Sequence, residues 1–210
     1  IMNHTPRTRG NHPGIIDYKG KSYCFGLNYD IFRLKTGRHA EQRSISVAEM
    51  TYNPDGTIQE LPYFQDCKLE QIEWFNPYRQ VEAETMAWGY GLKTQPKNEW
   101  AQKDRWNQVV TNVDEGKYIL VKGVDFKKGA SKFEVSASCH MLGGSIEIRL
   151  DGVNGQCIGK VDISNTKDEY KTFSTQVKKV KGVHDLYFVF KGDDIQKQNL
   201  FFLDWWKFGE

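Results

Sequence analysis

Two glutamates one residue apart, in Val81-Glu82-Ala83-Glu84, carry the clearest chemistry in this sequence. In an extended strand, side chains at i and i+2 share a face, so Glu82 and Glu84 point one way and Ala83 the other. Two carboxylates side by side repel unless a cation sits between them. As an acid and base the pair would suit glycoside hydrolysis, which needs two carboxyl groups across the scissile bond. As hard oxygen donors the same pair suits Ca²⁺, which takes six to eight oxygens from carboxylates and backbone carbonyls. Two solvated glutamates on an edge strand are the plain alternative. A calcium site accounts for the pair better than an acid–base pair does.

The other chemistry lies in the rings. Aromatic residues make up 13% of the chain, with six Trp and ten Tyr. Most must fill a core, but exposed flat rings are also what sugar recognition needs, because the CH faces of a pyranose stack on them. Charge points nowhere: 29 Lys and Arg against 27 Asp and Glu give a net +2, so there is no electrostatic case for nucleic acid or an anionic membrane. No run of 18 apolar residues is present to cross a bilayer. The four cysteines, Cys24, Cys67, Cys139 and Cys157, form no C-x-x-C pair, which argues against zinc. Cys139 and Cys157 fall in neighbouring predicted strands and can pair or remain free thiols.

The elements that must position these groups are strands. Short alternating segments are separated by turn chemistry at Asp17-Tyr18-Lys19-Gly20, Asn53-Pro54-Asp55-Gly56, Asp114-Glu115-Gly116 and Asp151-Gly152-Val153-Asn154-Gly155, which predicts an all-β fold. Only 46–50 and 69–72 could make a helical turn. Val183 to Phe190 and Leu203 to Phe208 read as two adjacent strands that close a β-sandwich. Pro77 cannot donate to a ladder and pushes Asn76 extended, so a boundary is expected there, with a fresh strand starting at Val81.

Three segments in order, Val81-Glu82-Ala83-Glu84, Gly143-Gly144-Ser145-Ile146-Glu147-Ile148-Arg149-Leu150-Asp151 and the closing pair of strands, resemble the family 6 carbohydrate-binding modules. The resemblance covers residues 79–210 and implies a jelly-roll β-sandwich. Residues 1–78 have a resemblance of their own. Asn11-His12-Pro13-Gly14-Ile15-Ile16-Asp17-Tyr18, Arg43-Ser44-Ile45-Ser46-Val47 and Met50-Thr51-Tyr52-Asn53-Pro54-Asp55-Gly56 look like the closing blade of a family 43 glycoside hydrolase, a five-bladed β-propeller. So short a piece is far below what a propeller needs. The expected architecture is a partial blade followed by a complete module, the C-terminal part of an inverting hydrolase of the xylosidase or arabinofuranosidase type.

The resemblance assigns roles. Asp204, in Leu203-Asp204-Trp205, joins Glu82 and Glu84 around a structural calcium. Tyr170, in Thr166-Lys167-Asp168-Glu169-Tyr170-Lys171-Thr172-Phe173, takes the place of the first sugar-stacking ring, with Tyr for the family's Trp. The second stacking position falls on Asn112, which cannot stack. The family's hydrogen-bonding asparagine falls on Phe202, for which Asn199 can substitute. Trp100 and Trp106, in a loop expected at the same end, can replace the lost ring. The family also has a second site on a concave face of the sandwich, to which no residue of this sequence is assigned. The hydrolase's catalytic carboxylates belong to earlier blades; His12 and Arg43 line its former active site. These assignments imply a non-catalytic module that binds xylan or arabinoxylan beside an upstream catalytic propeller, or a packing domain that stabilises that propeller. Either works in a secreted, cell-surface or periplasmic setting.

Overall fold

The computed structural model describes residues 12–28, 37, 44–67, 69–98, 106–127, 129–140, 143–192 and 199–210. The chain divides into two compact units, Ile1–Gln71 and Ile72–Glu210. The division precedes Pro77, because the intervening residues pack on the second unit. Phe75 bridges Val124, the Tyr78 hydroxyl donates to the carbonyls of Phe126 and Gly129, and Phe208 N donates to Pro77 O at 2.8 Å.

In the first unit, β1 (Gly14–Tyr18), β2 (Lys21–Asn28) and β3 (Ser44–Met50) form an antiparallel sheet in that order. Lys19 and Gly20 both have positive φ, at 51° and 76°. That is the two-residue turn whose twist matches a hairpin, and it sets Tyr18 opposite Lys21. The helical turn that the sequence permits at 46–50 is strand β3 instead. It alternates Ser46, Ala48 and Met50 inward, and period two wins over local propensity. Ala48, Met50, Cys24, Leu61 and Phe64 make this unit's small core. The other permitted helical turn, 69–72, is irregular, and Phe64–Asp66 is a single 3-10 turn.

The second unit is a β-sandwich. Its strands are β4 (Val81–Glu82), β5 (Trp88–Tyr90), β6 (Lys93–Pro96), β7 (Gln108–Thr111), β8 (Tyr118–Asp125), β9 (Ala130–Ser138), β10 (Gly144–Leu150), β11 (Cys157–Ile163), β12 (Lys171–Val180), β13 (Val183–Lys191) and β14 (Phe202–Gly209). One sheet runs β11-β10-β13-β8-β5 and the other β12-β9-β14-β7-β6, with β4 also pairing β14. The last two strands are therefore not neighbours in one sheet. β13 is central in the first sheet and β14 is central in the second, and they meet through their inward rings. Phe188 of β13 packs edge-on against Trp206 of β14 at 5.2 Å. Phe133 contacts Phe188 at 5.3 Å, and Phe126 contacts Phe208 at 5.1 Å. All of these rings are buried. Aromatic pairs at such spacings add about 0.5–1.5 kcal/mol each beyond area burial. Cys157 starts β11 in the first sheet while Cys139 directly follows β9 of the second, and all four cysteines are free thiols.

Candidate functional site

A chain of backbone and side-chain bonds gathers four loops at one end of the sandwich. The Thr166 hydroxyl and Cys139 N pair at 2.9 Å. Cys139 Sγ reaches Leu200 O at 3.3 Å, and Leu200 N donates to Val113 O at 2.6 Å. Tyr170, Asn199 and Asn112, or the loops that carry them, are thereby brought together. His140 joins them, with Nδ1 2.7 Å from Asp168 Oδ2, both side chains exposed.

The two asparagines hold loops. Asn199 Oδ1 accepts from the Thr111 hydroxyl and from Val113 N, each at 3.2 Å, and Asn199 N donates to Asp114 Oδ1 at 2.6 Å. Asn112 sits at φ 60°, a left-handed conformation that Asn tolerates better than most residues. Its Nδ2 donates to Gly91 O at 2.7 Å. Lys117, ion-paired to Asp114, closes the same loop onto Asn112 O at 2.9 Å.

Tyr170 is half-buried, directly before β12, and one face of its ring is covered. Lys97 Nζ stands 4.6 Å from the ring centroid, inside the range for a cation–π contact. Burial, with the Asp204 charge adding, pushes the Tyr170 phenol up to about 12. The same ammonium pairs with Asp204 Oδ2 at 2.7 Å. Lys97 is a residue that sequence reasoning missed, since nothing local announces a contact made 107 positions away.

Trp106 is 78% exposed, but it stands at the far end of β7 from Asn112, because β7 runs from Gln108 to Thr111 and leads into that loop. Trp100 and Arg43 lie outside the described residues. His12 is exposed just ahead of β1.

The carboxylates are arranged differently from a strand pair. β4 ends at Glu82, and the chain turns there, with Thr85 N donating to Glu82 O at 2.9 Å. Glu82 and Glu84 are thus not alternate residues of one strand face. Asp204 is the extra residue of a β-bulge between Leu203 and Trp205, and its backbone carbonyl accepts from Ala83 N at 2.8 Å. It is 1% exposed. Its Oδ2 takes Lys97 and the Ser136 hydroxyl, the latter at 3.2 Å, while its Oδ1 is buried without a partner. Glu84 Oε2 is likewise buried and unpartnered. Burial chiefly, then the nearby Glu82 and Asp204 charges, hold Glu84 above the usual carboxylate range. Glu82 Oε1 accepts from Gln80 Nε2 at 3.1 Å. Among the described residues no three His, Cys, Asp or Glu side chains enclose a point as a finished metal site would. Even so, two hard anionic oxygens left unsatisfied in a buried place fit a hard cation that completes its shell from main-chain oxygens.

A second aromatic surface was not assigned from sequence. Tyr90 and Tyr118 are directly opposed on β5 and β8, with rings stacked at 5.4 Å and 12°. Tyr187 on β13 follows at 5.8 Å. The row lies on the outer face of the five-stranded sheet. β5 ends that sheet, so among the described residues no further strand stands beside the outer side of Tyr90, which is 53% exposed. Its signal was legible: Tyr118 and Tyr187 fall out of phase with buried Ile119, Val121, Leu186 and Phe188.

Residues 82–210 match the family model for carbohydrate binding module (family 6). The chain belongs to that family. It is 30% identical over 201 residues to an arabinoxylan arabinofuranohydrolase of Paenibacillus polymyxa, a match covering 94% of this chain and 31% of that protein. It superposes on a glycoside hydrolase family 43 arabinoxylan arabinofuranohydrolase from Bacillus subtilis, solved with cellotetraose, at a TM-score of 0.81 and 31% identity, over 95% of this chain and 41% of that one. A family 6 module from Clostridium cellulolyticum, solved with xylose, matches at a TM-score of 0.58 and 33% identity, over 64% of this chain and 99% of that one. The chain thus spans about a third of its curated relative's length. The expected pairing of a family 6 module with a family 43 hydrolase is what these matches display.

Proposed function

We propose that the protein is a non-catalytic module that holds a xylan-type polysaccharide, arabinoxylan in particular, beside the catalytic propeller of a parent hydrolase outside the cytoplasm. The observation that carries this reading is the Tyr90–Tyr118–Tyr187 row. An aromatic ridge that opens to solvent at Tyr90, with Tyr118 and Tyr187 half-buried, offers a sugar-contacting surface on a family 6 sandwich, and the Asn112–Gly91 bond ties it to the loop end where Tyr170 lies. Two relatives support the polymer class: one is an arabinoxylan hydrolase and the other was solved with xylose. In the same reading Asp204 and Glu84, with Glu82 nearby, hold a structural calcium.

A second reading, a packing domain with little sugar affinity, is favoured by the covered Tyr170 ring and by the two asparagines that serve as loop ties. Affinity electrophoresis in xylan, arabinan and glucan gels separates the two. Retention in xylan that Tyr90→Ala weakens about tenfold supports binding at the ridge, since 1.4 kcal/mol is a factor of ten. Companion gels with Tyr170→Ala and Trp106→Ala test the loop-end ring and the exposed tryptophan. Retention in none of the gels leaves the packing reading.

A further inference from the structure

Lys97 directly follows β6 at the edge of the six-stranded sheet, yet its ammonium lies between two groups on other elements. Asp204 Oδ2 of β14 is 2.7 Å away and the Tyr170 ring is 4.6 Å away. Its side chain keeps only 28% of its exposure. We propose that Lys97 is a positioning residue that caps the Tyr170 ring and couples it to the charge state of Asp204: a divalent cation at Asp204 releases Lys97 and opens the ring to sugar. The inference rests on the reading above that Tyr170 can contact sugar and that Asp204 takes a cation.

The argument is one of shared charge. The Asp204 carboxylate carries one negative charge in a buried place, with Oδ2 given to Lys97 and Ser136, and Oδ1 given to nothing. Glu84 Oε2, also unsatisfied, belongs to the residue next to Ala83, whose N donates to Asp204 O at 2.8 Å. A divalent ion drawn to these two oxygens places two positive charges next to the carboxylate that anchors the lysine. Like charges at that range repel strongly in a low-dielectric setting. The ion pair that tethers Lys97 weakens, and with it the contact over the ring. A stacking sugar and the ammonium need the same ring face, so cation binding and sugar binding become mutually favourable, by the same factor in each direction.

The test uses the full chain labelled with ¹³C at the lysine ε position. Lys97 is assigned by the signal lost in Lys97→Met. In calcium-stripped protein its ε-methylene should be shifted upfield by the tyrosine ring current, and Tyr170→Leu should abolish the shift. Calcium chloride, with binding followed by calorimetry on the same sample, should return the signal to the ordinary lysine position. Xylotetraose should then bind about tenfold tighter with calcium than without. Because Lys97→Ala leaves a buried charge unpaired, the sugar arm also uses Lys97→Ala/Asp204→Asn, whose xylotetraose affinity should match calcium-loaded wild type and ignore calcium. A ring shift that persists at calcium saturation overturns the coupling while leaving the sugar and cation readings intact. Absence of calcium binding overturns the cation reading and the proposal together. Loss of the ring shift with no xylotetraose bound by any variant overturns the sugar reading of Tyr170, and the proposal falls with it.

Discussion

Removing calcium should lower the melting temperature of this protein, and the size of the drop follows from linkage. The perturbation is chelation, compared with added calcium chloride. In the metal-free chain, Asp204 Oδ1 and Glu84 Oε2 are buried anionic oxygens with no partner, a state that costs free energy in the fold and none in the unfolded chain. An ion that binds only the folded state adds about 2.7 kcal/mol at a hundred times its dissociation constant, and a domain of this size gains about 2–4 °C per kcal/mol, so the rise should be about 5–10 °C. Differential scanning calorimetry in chelator and in graded calcium measures it, and the melting temperature should climb with the logarithm of calcium concentration. Asp204→Asn should flatten that dependence, because it removes the charge and keeps the shape. Identical melting in chelator and calcium, with calorimetry showing no ion bound, would refute the reasoning; the buried oxygens would then be served by water.

Glu84 gives a pH signature. Its carboxyl is held above the usual range, so the folded state binds its proton more tightly than the unfolded chain, and its effect on metal-free stability turns unfavourable as pH rises through the interval between the two values. Urea unfolding of calcium-stripped protein should show Glu84→Gln overtaking wild type as pH rises from about 4 towards neutrality, and parallel profiles would count against it. Phe188→Ala should cost about 3–5 kcal/mol, because that ring is 1% exposed and touches both Phe133 and Trp206; a loss under 1 kcal/mol in denaturant titration would deny it a place in the core. The chain should release no nitrophenol from aryl xyloside or arabinofuranoside, and release that scales with protein concentration would contradict the non-catalytic reading.

The sandwich was legible because its strands obey period two: Phe188 and Phe190 fall inward and Tyr187 outward, as alternation requires. What alternation does not carry is which sheet each strand joins. β13 and β14 looked like neighbours and face each other across the core, since consecutive strands in a sandwich can cross between sheets and sequence adjacency is then no guide. The Glu82–Glu84 pair failed for a local reason: the strand stops after two residues, so the i, i+2 rule has no strand to act on. Asp204 meets the 82–84 segment through the bond from Ala83 N to its carbonyl, and the bulge that aims it and the lysine that reaches it are tertiary facts.

The loop end shows why site residues are harder to read than core residues. A core ring needs only the right phase, and many sequences satisfy it. At the loop end, the same residue types serve two masters. Asn112 tolerates the left-handed turn and anchors Gly91. Asn199, at φ 56°, clamps the start of the 112–117 loop. Tyr170 gives one ring face to Lys97. Each of these three residues has also acquired a partner within the protein, and an internal partner competes with a ligand for the same lone pair or ring face. Affinity at this end is therefore set less by which residues are present than by how much those internal contacts must be undone. Tyr90, beside whose outer side the described residues place no further strand, gives one ring face to Tyr118 and has less to undo than Tyr170 does.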